Sequence, residues 1–86
     1  MITAEQIRGA RAMLRIEQTE LAMLAGVSVE TIKRIERKPG PVSAFAATLQ
    51  AIRTALENAG VEFIAENGGG AGVRLKKSAK VERSEP

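Results

Sequence analysis

The sequence predicts a mainly α fold, four short helices followed by a C-terminal β-hairpin. Three observations predict it. Apolar residues recur at spacings of three and four up to Gly60. Gly26, the triplet Pro39-Gly40-Pro41 and Gly60 punctuate that stretch into short pieces. After Gly60 the period shifts toward two around a glycine-rich turn.

The first helix opens at Thr3-Ala4-Glu5-Gln6, a capping box in which Thr3 and Gln6 satisfy each other's backbone N–H. It carries Ile7, Ala10 and Leu14 on one face and is predicted over residues 4–14. A break at Arg15-Ile16-Glu17 precedes a second helix, Gln18 to Ala25, with Leu21, Ala22 and Leu24 as inward candidates. Gly26 ends it where a left-handed backbone is needed, and Ser28 is a good N-cap for a third helix, Val29 to Arg37. Ile32 and Ile35 point that helix inward. Two short helices joined through a glycine turn are the signature of a helix-turn-helix. Neither Pro39 nor Pro41 can continue a helix, so the chain must break there. Ser43 is the expected cap of a fourth helix with Phe45, Leu49, Ile52 and Leu56 on its apolar face. The segment Val61-Glu62-Phe63-Ile64, the turn Asn67-Gly68-Gly69-Gly70 and the segment Val73-Arg74-Leu75 then read as a hairpin. The expected organisation is a helical unit over 1–60, the hairpin over 61–77 and a disordered tail over 78–86.

Composition limits what such a fold can do. Eighty-six residues suffice for one small core, and with only two aromatics that core must be aliphatic. The chain has no Cys, no His and no Asp, hence no disulfide, no thiolate or imidazole metal site and no imidazole base. The remaining Glu, Lys and Ser form no catalytic motif, so the chain reads as a non-enzyme without cofactor or metal. The longest nearly apolar run, Leu21 to Val29, is too short for a membrane span, and the start lacks the basic and apolar regions of a signal peptide. A cytoplasmic protein is therefore expected. The net charge of +3 says little, but its distribution says more: Lys33, Arg34, Arg37 and Lys38 fall within six residues. A second basic group, Arg74, Lys76, Lys77, Lys80 and Arg83, reads equally as a solvated end.

Ile7 to Glu36 resembles the Cro/C1-type (XRE-like) helix-turn-helix family of bacterial and phage repressors. The resemblance rests on Gln18-Thr19-Glu20-Leu21-Ala22, Ala25-Gly26-Val27-Ser28 and Thr31-Ile32-Lys33-Arg34-Ile35-Glu36, in register at the family's spacing. It covers about the first sixty residues, and the hairpin matches some small bacterial members more loosely. It implies a lambda-repressor-like domain that binds double-stranded DNA and regulates transcription, most often as a repressor on a palindromic operator.

On this reading Leu21, Ala22, Val27, Ile32 and Ile35 are core and fix the angle between the two helices. The third helix leaves Val29, Glu30, Lys33, Arg34 and Arg37 outward. Val29 against a thymine methyl, Glu30 on a cytosine amino group and Arg34 on guanine are the expected base readers. Arg34 could instead contact phosphate, and Glu30 could serve only the helix dipole. Lys33, Arg37 and Lys38 suit phosphates, with hydroxyl contacts from Ser28 and Thr31. The resemblance implies that Gln18 contacts phosphate and braces the readers. Family members commonly carry Asn-Gly after the glutamate; here Arg37-Lys38-Pro39 stands instead, replacing a backbone contact with charge. Arg11 and Glu36 resemble the family's structural ion pair between the first and third helices.

One reading head covers too few base pairs to find a site in a genome, so a homodimer on half-sites roughly 34 Å apart is expected. Leu56, Val61, Phe63, Ile64, Val73 and Leu75 are the candidate interface, unless they simply close the monomer core. Repression would be steric. The rival reading is a protein-binding module, an antitoxin or antiactivator, that uses the same fold to grip a protein partner.

Overall fold

A computed structural model describes residues 2–77. It contains α1 (Ala4–Leu14), α2 (Gln18–Ala25), α3 (Val29–Arg37), α4 (Ala46–Ala59), β1 (Val61–Ile64) and β2 (Gly72–Leu75). No helix among the described residues is long and apolar enough to cross a membrane. The tail expected over 78–86 lies outside the described residues.

Local chemistry sets the helix ends. The capping box forms: the Gln6 N–H donates to Thr3 Oγ1 at 3.1 Å, and the Thr3 N–H donates to Gln6 Oε1 at 2.8 Å. α1 closes on Arg15, a non-glycine residue in the left-handed region at φ 60°. α2 closes on Gly26 at φ 71°, and the Val27 N–H reaches back to the Ala22 carbonyl at 3.0 Å. That is a Schellman ending, and it turns the chain sharply into α3. Ser28 caps α3, its Oγ accepting from the Thr31 N–H at 3.1 Å.

Ile7, Leu21, Ile32, Ile52, Leu56 and Val61 are fully buried, so every helix and β1 contribute to one aliphatic core. The hairpin is antiparallel, with Val61 opposite Leu75 and Phe63 opposite Val73. Facing residues share a side of the sheet. The Val61 side turns toward the helices, and Glu62 pairs with Arg74 on the other side. A pair of strands alone is marginal in water. Here α1 and α4 support it: Gln6 Nε2 donates to the carbonyls of Gly72 at 2.8 Å and Ile64 at 3.3 Å. Gly9 lets β2 approach α1, since a Cβ there would lie 3.3 Å from Val73.

The segment joining α3 to α4 is clipped by the residues before α1. The Ala4 N–H donates to the Gly40 carbonyl at 2.9 Å and the Val42 N–H to the Ile2 carbonyl at 3.2 Å. Glu5 accepts from the Gly40 N–H at 3.1 Å. This clip buries Val42 and changes the start of α4. The helix begins at Ala46, not behind Ser43, and Phe45 stands before its first turn, 84 % exposed, outside the core. Leu24 is also exposed rather than inward, because it lies about 100° around α2 from the middle of the buried row of Leu21, Ala22 and Ala25.

Candidate nucleic-acid interface

α3 is two-faced. Ile32, Ile35 and Glu36 are buried, and Glu30, Lys33, Arg34 and Arg37 are exposed, as is Lys38 just beyond its end. The four cations Lys33, Arg34, Arg37 and Lys38 thus share one short exposed segment. Among the described residues none of them takes an ion-pair partner, whereas Arg8, Arg11, Arg53 and Arg74 all do. Val29 is not freely exposed: it is half-buried and packs against the core, which limits what it can offer a groove. Thr31 is half-buried too, and its hydroxyl lies 2.9 Å from that of Ser28. The two hydroxyls therefore satisfy part of each other's capacity and keep one donor between them for another acceptor.

Behind the exposed face sits a polar anchor. The Glu36 carboxylate, 4 % exposed, accepts from Arg11 Nε and Nη2, each at 2.8 Å, and from Gln18 Nε2 at 3.0 Å. Arg11 Nη1 also donates to the Ile16 carbonyl at 3.1 Å, and Arg8 Nη1 donates to the Glu36 carbonyl at 2.6 Å. The bidentate fork fixes α1 against the end of α3, and Gln18 adds the start of α2 to the same point. The hydrogen bond to Glu36 raises the Arg11 pKa, and the partial burial of the guanidinium opposes that. The expected Arg11–Glu36 pair is present. Gln18 has one amide hydrogen committed to it, leaving the other hydrogen and Oε1 for an outside partner.

The apolar residues named as a dimer surface divide. Leu56 and Val61 are fully buried within one chain and have no surface to offer a partner; their role is the core. Phe63, Ile64 and Val73 are half-buried, and Leu75 is 52 % exposed at the end of β2. Phe63 is also covered on one face by Arg53, whose guanidinium carbon lies 5.5 Å from the ring centre.

Three residues gained a role that sequence reasoning had missed. Gln6 was read only as a helix cap, yet its far amide holds both strands; nothing local signals a bond across 66 positions. Arg8, for which the sequence offers no specific partner, donates to the Glu36 carbonyl near the end of α3. Phe45 fits the apolar period of α4, yet it lies before the helix and outside the core, which no local signal in the sequence foretells. No protein-family model matches the chain, and no curated protein is significantly similar to it.

Proposed function

We propose that this chain is a sequence-specific DNA-binding protein that regulates transcription, a helix-turn-helix repressor of the Cro/C1 type acting as a homodimer. One observation carries the reading: four cations without ion-pair partners among the described residues, on and just beyond an exposed helix face whose opposite side is locked into the core. A rigid helix bearing such a face is what a major groove accepts. Arg34 reads a base edge bidentately, Glu30 a neighbouring one, and Lys33, Arg37 and Lys38 hold phosphates with help from Thr31, Ser28 and the free amide atoms of Gln18. Val29 gives at most the edge of its side chain. The dimer contact falls to the hairpin residues still accessible, Leu75 foremost, with Phe63, Ile64 and Val73 extending it.

The test is selection of bound duplexes from random DNA, followed by titration of the selected site. Arg34→Ala is expected to weaken binding about 5- to 150-fold and to relax preference at one position of each half-site. With phosphates neutralised by Lys33, Arg37 and Lys38, log affinity should fall against log salt with a slope of about −2.7 per subunit. If no duplex is enriched at low salt, or if Arg34→Ala binds like the parent, the proposal fails.

A further inference from the structure

Asparagine stands at two positions in the chain, Asn58 and Asn67, and the structure treats them differently. Asn58 lies inside α4 and precedes Ala59, whose N–H belongs to the helical ladder. Asn67 precedes Gly68 in the loop that joins β1 to β2, and every residue from 65 to 71 is exposed. Asn-Gly pairs commonly form a two-residue hairpin turn held by strand pairs on both sides. Here the last strand pair is Ile64 opposite Gly72, well short of Asn67. Among the described residues, no hydrogen bond involves residues 65–71. Gly68 takes φ 97°, a region open to a residue without Cβ, and nothing beyond its chain neighbours crowds it. The Asn67 carboxamide reaches forward over this turn, since a Cβ on Gly69 would lie 3.9 Å from Asn67 Oδ1. It is folded toward the peptide that follows it.

We propose that Asn67 is a site of spontaneous covalent modification, deamidation through a succinimide formed with Gly68. The Gly68 nitrogen gives its proton to solvent hydroxide and attacks Asn67 Cγ. The new C–N bond closes the ring, and Nδ2 takes up a proton and leaves as ammonia. Water then opens the ring at either carbonyl. Addition at Cγ leaves aspartate, whereas addition at the main-chain carbonyl leaves isoaspartate, with the chain running through the former side chain. The sum is hydrolysis of one amide, water in and ammonia out, with no redox change. Glycine at 68 favours the step because no side chain shields the attacking nitrogen, and the reacting groups are neighbours in one chain. Either product puts a carboxylate beside Glu66 and lowers the formal net charge of +3 by one. Isoaspartate also lengthens the main chain by a methylene, in a loop that has no hydrogen bond to lose. The modified chain therefore keeps its fold and carries a mark of its age. This inference is independent of the DNA-binding reading.

The test ages the full chain near neutral pH at physiological temperature, folded and, in parallel, unfolded in urea. Cleavage after glutamate places Asn58 and Asn67 on separate peptides. Mass spectrometry reads a gain of about 1 Da per event, and enzymatic methylation of isoaspartyl carboxylates separates the two products. In the folded protein the Asn67 peptide should convert at least about tenfold faster than the Asn58 peptide. Folding should slow Asn67 by less than about tenfold relative to urea. Conversion of Asn67 should quicken as pH rises, because the Gly68 nitrogen attacks only without its proton. Asn67→Gln moves the carboxamide one methylene further from that nitrogen and should leave only the slow conversion of Asn58. A smaller ratio between the two peptides overturns the inference. So does stronger protection of Asn67 by folding, which would mean that the loop holds its carboxamide away from the Gly68 nitrogen.

Discussion

Replacing Glu36 by Gln tests the polar anchor directly. The substitution preserves volume, so no cavity accompanies it. What changes is the charge and one acceptor: the new amide must turn its NH2 toward a group that already donates, Arg11 or Gln18. Breaking a buried ion pair costs about 3–5 kcal/mol, mainly because the surviving charge loses its compensation. Here the Arg11 side chain keeps 19 % exposure and its bond to the Ile16 carbonyl, so water and that carbonyl recover a share. The expected loss is about 2–4 kcal/mol. For a chain of this size the total stability is about 4–13 kcal/mol, so the variant should melt about 10–25 °C lower, read by far-UV circular dichroism. Arg11→Met should cost a similar amount, since it strands the buried carboxylate. The double variant Arg11→Met/Glu36→Gln should be about 1–3 kcal/mol more stable than the two losses added together. A drop below about 4 °C for Glu36→Gln, or strict additivity in the double variant, would refute the reasoning.

Two further outcomes follow from backbone and charge. Arg15 holds a left-handed conformation at the end of α1, which costs a side-chain-bearing residue about 1–2 kcal/mol; Arg15→Gly should return part of it and raise the melting temperature by a few degrees. Hydrogen bonds from its own N–H and from the Gly40 N–H, with Arg8 nearby, hold the Glu5 carboxyl below its ordinary value of 4.5. Its contribution is therefore fully present above pH 4.5 and lost as pH falls through the lower folded value. Melting temperatures taken from pH 6 down to about 3 should decline less steeply in Glu5→Gln than in the parent, and parallel curves would remove Glu5 from the account.

The helix boundaries were legible because they are written in nearest neighbours. Thr3 with Gln6, Gly26, and Ser28 act within four positions, and each did what its chemistry dictates. The strands were legible for the same reason, since alternation and a glycine turn are local signals. What sequence reasoning missed comes from contacts between distant segments. Phe45 fits the helical period of Leu49, Ile52 and Leu56, and periodicity alone places it inside. The clip from Ile2 and Ala4 onto Gly40 and Val42 fixes the preceding loop, and Val42 fills core space instead. Leu56 and Val61 show the opposite limit: an apolar residue reads the same whether it closes a monomer or awaits a partner, and only packing tells the two apart. Val29, taken as a free groove contact, is likewise claimed by the core.

Folding accounts only weakly for the cations on and just beyond α3. Near the end of a helix, Arg34 and Arg37 gain about 0.3–1 kcal/mol each from the dipole. Against this, Lys33 and Arg37 lie four apart, and Arg34 and Arg37 three apart, on the same surface, where like charges cost about 0.2–0.5 kcal/mol per pair. The dipole gain, about 0.6–2 kcal/mol for the two residues, exceeds the repulsion, about 0.4–1 kcal/mol for the two pairs, by only about half a kcal/mol at mid-range, so the helix favours these charges weakly. Ile32, Ile35 and Glu36, with Val29 packed at the edge of the core, dock it. The exposed positions are thus nearly free of the fold's requirements, and the functional proposal above gives the positive charge at Lys33, Arg34, Arg37 and Lys38 its use.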